Sequence, residues 1–216
     1  MTTARIDHHV HTSRHSPDSV IEPLELLEAA REAGLTGVVI TDHDHQWDPE
    51  EVAELASRAP DLVVLSGAEI SAREGHFLVY GLPNLANVPV GVSLAGLIVE
   101  AKAHGAAVVA AHPYRWGQDF DAIATDHRDG LDAAELVSNN VTIETRGQLE
   151  TLLARLPMAT TGSSDGHEPG VVGCYHTAFP TAIRTMAEFV AAIKSGRGRP
   201  GHRIGGRQAC GPAARS

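Results

Sequence analysis

The chain has 216 residues, which is enough for one sizeable hydrophobic core and predicts one domain with a tail. The formal net charge of −10 argues against a general binder of polyanions, although cations held by carboxylates could cancel the charge of a pocket. Cys174 and Cys210 indicate neither a disulfide framework nor a thiolate zinc site, and without an apolar signal core or membrane span we expect a cytoplasmic protein.

Apolar runs alternate with helical segments along most of the chain, which is typical of repeated βα units around a parallel sheet or barrel. Local signals mark several helix ends: Gly34 would end the first helix, Ser93 would cap the third, and Thr185 with Glu188 forms a capping box for the last. The predicted elements are, in chain order, a strand at 6–10, a helix at 23–33, a strand at 37–41, a helix at 48–58, strands at 62–69 and 75–80, a helix at 93–104, strands at 107–111 and 133–137, a helix at 144–156, a strand at 158–162 and a helix from 185. These elements make about seven βα repeats.

The composition changes near the C-terminus. From Ser195 onward Gly, Arg and Pro dominate, and such a segment cannot bury a hydrophobic core. We therefore predict a domain at residues 1–195 and a loosely ordered tail at residues 196–216.

Histidines are unusually numerous, since 13 His accompany only 4 Phe and 3 Tyr, a ratio that core packing does not require. Many of them lie at or just past the C-terminal end of a predicted strand, which is the active-site face of a parallel α/β barrel. His9 and His11 end the first strand together with Asp7. Because alternate residues of an extended strand point the same way, these two imidazoles can hold one metal ion.

The next two strand ends carry further candidates. The second strand runs into the sequence T-D-H-D-H, which is too much charge for a strand end with nothing to coordinate. We assign His43 as a ligand, with Asp42 or Asp44 orienting imidazoles. Glu69 ends the third strand, where its carboxylate could bridge two metal ions.

Two later strand ends complete the pattern. His112 directly follows an apolar strand and is held rigidly by Pro113. A turn of small residues then presents Asp165 and His167, two positions apart. Oxygen and nitrogen ligands on separate strand ends, without Cys, favour Mn, Fe or Zn in a site with several metal ions over a structural zinc.

Five short motifs resemble, in order and over nearly the whole chain, those of the PHP superfamily of metal-dependent phosphoesterases, named for polymerase and histidinol phosphatase domains. D-x-H-x-H-[TS] resembles residues 7–12, T-D-H-x resembles residues 41–44, and the strand-end glutamate matches Glu69; H-P matches residues 112–113 and G-S-D-x-H resembles residues 163–167. The resemblance implies an α/β fold, a distorted (β/α)7 barrel with its active site at the C-terminal ends of the strands. It also implies two or three divalent metal ions in the barrel mouth.

The chain departs from the family pattern at positions that bear on the number of metal ions. Where some members supply an Asp or His after the first motif, either His15 or Asp18 could serve, and we prefer Asp18. Where the family often has a histidine after H-P, this chain offers either a weak amide oxygen, such as that of Asn139, or no protein ligand, which leaves the third metal undetermined. His76 matches a recurrent family feature that could contact substrate or a metal ion.

The resemblance and the residues together predict hydrolysis of a phosphate ester of a small molecule or nucleotide by a metal-activated water. The predicted metal ligands are His9, His11, Asp18, His43, Glu69, His112, Asp165 and His167. The predicted catalytic residues are Glu69, His43, His167 and Asp165, and the predicted substrate contacts are Arg115, His76 and His202.

Three alternatives remain open. The chain could be a nuclease acting at the 5′ end of short oligonucleotides, although its acidic balance argues against long nucleic acids. It could be a non-catalytic metal-binding or regulatory domain, against which the intact set of ligands argues. An amidohydrolase is disfavoured, because such enzymes usually carry a bridging lysine and neither Lys102 nor Lys194 lies at a strand end. The sequence leaves the oligomeric state undetermined.

Overall fold

A computed structural model describes residues 3–203 of the chain. The strands in this range are β1 (Ala4–Val10), β2 (Gly37–Ile40), β3 (Val63–Ser66), β4 (Ala68–Ala72), β5 (Gly75–Tyr80), β6 (Ala107–Ala110), β7 (Ala133–Val137), β8 (Thr160–Gly162), β9 (Tyr175–Phe179) and β10 (Arg199–His202). The α-helices are α1 (Pro23–Glu32), α2 (Pro49–Ser57), α3 (Leu94–His104), α4 (Phe120–Asp126), α5 (Ile143–Arg155) and α6 (Met186–Lys194). No helix within this range has the length and apolar character needed to cross a bilayer.

The strands form two mixed sheets rather than one closed barrel. The first sheet has the order β10-β9-β1-β2-β3 and the second has the order β4-β5-β6-β7-β8. Parallel βα units account for β1-β2-β3 and β6-β7-β8, whereas β4-β5-β6 and β1-β9-β10 pair antiparallel. The α/β prediction is therefore confirmed, but among residues 3–203 no sheet closes as a (β/α)7 barrel would require.

The two sheets separate at Gly67, inside the segment 62–69 that the sequence predicts as a single strand. A Cβ atom at this position would lie 2.5 Å from the carbonyl oxygen of Val79, so only glycine allows the backbone to pass so closely. Isolated parallel bridges, between His43 and Glu69 and between Val10 and Gly166, then link the sheets. Candidate residues lie at the first bridge and next to the second, so the seam between the sheets coincides with the predicted site.

The helices begin where their capping residues predict. Thr185 accepts a hydrogen bond from the Glu188 amide and the Glu188 side chain returns to the cap, so the predicted capping box of α6 is confirmed. Ser93 caps α3 by accepting the amide of Gly96, and Gly105 ends that helix in the left-handed conformation. The apolar faces of the helices pack on the outer faces of the sheets, and both sheets contribute to a central core. This central core includes Ile6, Val39, Leu78, Val109, Phe179 and Phe189.

The C-terminal segment contains more structure than its composition indicates. Residues Arg199–His202 form β10, which pairs antiparallel with β9, although the sequence places them in the tail. Gly198 makes this possible, because a Cβ atom there would lie 2.7 Å from a methyl group of Thr177. Residues 204–216 of the predicted tail lie outside the described residues.

Candidate metal centre

The first strand delivers two histidines to one point. His9 lies within β1 and His11 just beyond its end, so both side chains leave the same face, while His8 points to the other face and contacts Tyr80. The Nε2 atoms of His9 and His11 each lie 3.1 Å from Oε2 of Glu69. The predicted pairing of His9 with His11 is thus present in the structure.

Glu69 lies at the centre of the candidate site. Its carboxylate is buried, and its Oε2 atom also lies 3.1 Å from Nδ1 of His43. Its other oxygen, Oε1, lies 2.9 Å from Nδ1 of His76 and 3.0 Å from Nε2 of His112. A single carboxylate that faces imidazoles on both oxygens has the arrangement of a bridging ligand.

Four donor atoms form the most buried group in the site. The side chains of His9, His11, Glu69 and Asp165 each offer one atom, and these atoms all lie within 4.8 Å of one another. Nε2 of His9, Nε2 of His11 and Oε2 of Glu69 are buried without a hydrogen-bond partner. Since buried polar atoms normally find partners, three that converge unpaired fit a divalent cation bound by nitrogen and oxygen.

The partners of the two imidazoles fix which nitrogen is free. Oε1 of Glu135 can only accept, so Nδ1–H of His9 donates to it over 3.0 Å. Ser16 Oγ donates to Asp42 and accepts from the His43 amide, which leaves its remaining lone pair for Nδ1–H of His11 at 3.2 Å. Both imidazoles therefore present the lone pair of Nε2 to the centre, as a metal ligand must.

Sequence reasoning did not assign a role to Glu135, although the structure places it directly behind the site. Besides His9, its carboxylate accepts the amide of His112 at 2.8 Å and a hydrogen bond from the Ser163 hydroxyl. A charged residue inside the apolar strand β7 was the available signal, because a carboxylate is rarely buried without a partner.

A second group of donor atoms surrounds the other side of Glu69. It consists of His43, Glu69 and His76, and His112 adjoins it through Oε1 of Glu69. His76 was expected as a substrate contact, but its Nδ1 atom lies 2.9 Å from Oε1 of Glu69, so its position fits a metal ligand. This position supports the hypothesis that His76 contacts a metal ion.

The third group opens toward solvent. It consists of His11, His43 and His167. Oδ2 of Asp18 lies 3.2 Å from Nε2 of both His43 and His167, and its side chain is 52% exposed. Of the two candidates that follow the first motif, Asp18 is therefore the one that reaches the cluster.

The electrostatics of the buried group favour positive charge. Burial lowers the pKa of His9, but the carboxylates of Asp165, Glu135 and Glu69 raise it well above its ordinary value. Burial likewise opposes the charged form of His11, yet its contacts with Asp165 and Glu69 raise its pKa to about 9. The carboxylates around His9 and His11 therefore favour positive charge in this group, which a bound cation would supply while both Nε2 atoms stay unprotonated.

The same imidazoles keep the carboxylates ionised. Burial raises the pKa of Glu69 and of Asp165, but His9 and His11 lower both well below the ordinary range. Burial also raises the pKa of Glu135, and His9 lowers it. All three carboxylates are thus anionic ligands or supports at neutral pH.

Left-handed backbone geometry is concentrated at the site. Among residues 3–203 the non-glycine residues with positive φ are Asp44, His112, Tyr114, Trp116 and Asp165. Such conformations cost of order 1 kcal/mol each and persist where the surroundings enforce them. Asp165 is held by the carbonyl oxygen of His9, which accepts its amide at 2.8 Å.

The remaining predicted residues lie around the centre. Asp42 accepts hydrogen bonds from Thr12, Ser16 and Trp47 and acts on His11 only through Ser16, whereas Asp44 accepts the amide of Ser71 and orients no imidazole.

Three further predicted residues lie outside the converging groups of donor atoms. The His15 ring stacks on His45 with 3.8 Å between centroids. The side-chain amide of Asn139 donates to the carbonyl of Ser164 and so supports the Asp165 turn. His202 is exposed on β10.

Arg115 stands at the rim of the site. Its guanidinium lies 3.7 Å from Oδ2 of Asp165 and over the ring of Trp116, with 4.1 Å between the guanidinium carbon and the ring centroid. Its side chain is 30% exposed, so it borders both the buried donors and solvent. This position is compatible with the predicted contact to a phosphate oxygen.

Comparisons of sequence agree with the motif pattern. The model of the PHP domain family matches residues 7–167, well over half of the chain, and a second model described as PHP-associated matches residues 146–197. An uncharacterised protein of Methanocaldococcus jannaschii is 33% identical over 149 residues, which make up 59% of this chain and 85% of that protein.

Comparisons of structure show the same fold at low sequence identity. A two-domain protein of Bacteroides vulgatus containing a predicted PHP-like metal-dependent phosphoesterase superposes with a TM-score of 0.74 and 18% identity, over 94% of this chain and 65% of that one. The lesion-specific endonuclease Q of Pyrococcus furiosus superposes with a TM-score of 0.66 and 15% identity, over 90% of this chain and 56% of that one. The chain thus spans less than two thirds of the length of either protein.

Proposed function

Since the chain belongs to the PHP domain family, we propose that it hydrolyses a phosphate monoester of a small molecule or nucleotide with the help of two or three divalent cations. The observation that carries this proposal is the convergence of unpaired buried donors from His9, His11 and Glu69. Mn, Zn and Fe are the cations that this mixture of imidazole and carboxylate favours. Bound there, such cations would lower the pKa of a water molecule and stabilise charge on the phosphate.

The position of each side chain suggests which cation it would bind. His9, His11 and Asp165 would hold one cation, and Glu69 would join it to a second one held by His76 and His112. His43 and His167 of the third group, together with Asp18, would complete the set of ligands. Because His43 and His167 are half-buried and Asp18 is exposed, this is the part of the site where water or the leaving group could enter and depart.

Arg115 would bind the phosphate itself. A guanidinium can donate two parallel hydrogen bonds to phosphate oxygens, and that of Arg115 already lies beside the carboxylate of Asp165. A phosphate at the donor groups would therefore contact Arg115 at the rim.

The net negative charge of the chain favours a small substrate over a long polyanion. The chain carries 27 acidic against 17 basic residues, and a long polyanion would be repelled by this balance. The acidic balance does not exclude nucleic acid, because endonuclease Q, which shares the fold, forms a complex with a 27-mer duplex that has an abasic lesion at the active site. We therefore propose the small ester as the substrate and keep a nuclease acting at 5′ ends as the second candidate.

The test is hydrolysis of a panel that contains several phosphomonoesters, a phosphodiester and a short 5′-phosphorylated oligonucleotide. Mn and Zn are added separately, and a chelated sample serves as the control. We expect phosphate release that the chelator abolishes, with a phosphomonoester preferred. His9→Asn should abolish turnover, whereas His104→Asn, which changes an exposed histidine on α3, should leave it unchanged. Equal activity of His9→Asn and the unmodified protein would overturn the proposal, and preference for the oligonucleotide would select the nuclease.

A further inference from the structure

One exposed aromatic side chain borders the candidate site. Trp116 is 69% exposed, whereas the other Trp, Tyr and Phe side chains among residues 3–203 are buried or half-buried. Its ring centroid lies 5.0 Å from that of His76 and 5.6 Å from that of His112, both in edge-on arrangements. The indole ring of Trp116 thus lies at the solvent-exposed border of the polar donor groups, where the flat face of a ligand could pack against it.

The backbone holds Trp116 at this position. Tyr114 and Trp116 both have positive φ, 67° and 56°, which bulky residues rarely adopt. The side chain of Gln118 clamps the turn, because it accepts the amide of Tyr114 at 3.1 Å and donates to the carbonyl of Glu74 at 2.7 Å. The exposed ring is therefore presented by a strained but well-connected turn.

A cationic side chain and a possible metal ligand both contact the indole ring of Trp116. The guanidinium of Arg115 covers part of the indole at 4.1 Å, and the exposure of the residue leaves the remainder free. His76 belongs to a donor group and touches the same ring. A ring stacked on Trp116 and a phosphate at the donors would thus lie within the length of one small molecule.

We propose that Trp116 forms a stacking subsite for the nucleobase of a mononucleotide, whose phosphate binds at the adjoining donor groups. This inference rests on the proposed function and narrows its substrate class. Every nucleobase offers a flat π face to an indole, so the subsite would recognise a base without selecting strongly among bases. Sugar phosphates without a base would bind only through the phosphate.

The test compares adenosine 5′-monophosphate with ribose 5-phosphate, which carries the same phosphate and sugar but no base. Trp116→Ala should raise KM for the nucleotide about tenfold, with kcat within about twofold, because base stacking contributes equally to ground state and transition state. KM for ribose 5-phosphate should stay unchanged. Trp116→Phe should restore most of the nucleotide affinity, and Val99→Ala, at an exposed apolar position on α3, is the matched control.

Three kinetic results would overturn the inference. One is an equal rise of KM for both esters in Trp116→Ala, which would indicate a general distortion of the site. A second is no change of KM for the nucleotide in Trp116→Ala. A third is no turnover of any nucleotide beside efficient turnover of other esters. In these two cases the proposed function stands without this subsite.

A binding measurement tests the subsite even if no ester is hydrolysed and the proposed function fails. The zinc-loaded protein is titrated with both compounds while tryptophan fluorescence is recorded. Trp47 is buried and Trp116 exposed, so stacking should quench a saturable part of the emission with the nucleotide only. This quenching should vanish in Trp116→Phe. No quenching by the nucleotide in the unmodified protein would overturn the inference.

Discussion

The two sides of the candidate metal centre differ in burial and in support. On the inner side, His9, Glu69 and Asp165 are buried. Behind them lies a further buried carboxylate, that of Glu135, which accepts a hydrogen bond from His9. On the outer side, the side chains of His43 and His167 are 25% and 26% exposed, and they share the exposed carboxylate of Asp18.

The difference in burial indicates that the inner side binds cations and that the outer side exchanges ligands. A preorganised and buried set of ligands binds cations tightly, because the ligands need not reorganise and the local dielectric constant is low. A half-exposed group can exchange ligands with water or substrate. Variants on each side should therefore fail in different ways.

The largest effect is expected where the two sides meet. Glu69→Gln keeps the size of the side chain but removes the charge that faces imidazoles on both of its oxygens. Activity should fall at least about a thousandfold, since several kcal/mol of charge stabilisation by the cations would be lost with them. Metal analysis of the purified variant should show fewer ions per chain, with circular dichroism as the control for folding. Unaltered metal content together with normal turnover would show that Glu69 does not bridge.

A smaller effect is expected behind the inner side. Glu135→Gln should weaken metal affinity about 10- to 100-fold, because its NH2 group cannot accept from an N–H, so the side chain can no longer accept from both Nδ1–H of His9 and the amide of His112. The measurement is a competition titration with a chromophoric chelator. Glu54→Gln, on the exposed face of α2, is the matched control. If high concentrations of metal restore full turnover, Glu135 positions the ligand; if they do not, it takes part in the reaction itself.

The sequence predicts the two sides unequally well. His9, His11, Glu69 and Asp165 could be assigned because each lies at or just past the C-terminal end of a predicted strand, and these ends meet at the seam between the sheets. Glu135 was missed because it lies inside a strand, where its role depends on the backbone amide of His112 and the tautomer of His9. Such contacts between distant segments leave no local pattern in the sequence.

The same distinction applies to the fold. Strand and helix positions governed by local periodicity and capping were predicted closely, as for α6 and β7. The expectation of a closed barrel was wrong, because the break at Gly67 and the antiparallel pairing of β4 with β5 depend on a backbone contact between residues far apart in sequence. The strand β10 was missed since its Gly- and Pro-rich sequence is a poor strand former and its pairing with β9 is a tertiary effect.

The smallest effect is expected on the outer side. Asp18→Asn removes one negative charge that faces His43 and His167, and it leaves the buried donors untouched. The pKa of Asp18 lies below its ordinary value, because His167 and His43 outweigh the effect of partial burial, so the charge is present at neutral pH. We expect the loss of about one metal ion per chain and a decrease of kcat of about tenfold, in the range typical of weakened ligation.

The matched variant is His15→Asn, at the other position that the sequence left open. Because His15 stacks on His45 outside the donor groups, its replacement should leave both the metal content and kcat unchanged. The reverse result, with metal lost from His15→Asn and retained in Asp18→Asn, would move the third group of ligands to the His15 side. Loss of all the metal from Asp18→Asn would instead show that the inner and outer sides bind their cations as one cooperative cluster. This result would contradict the separate roles inferred for the two sides.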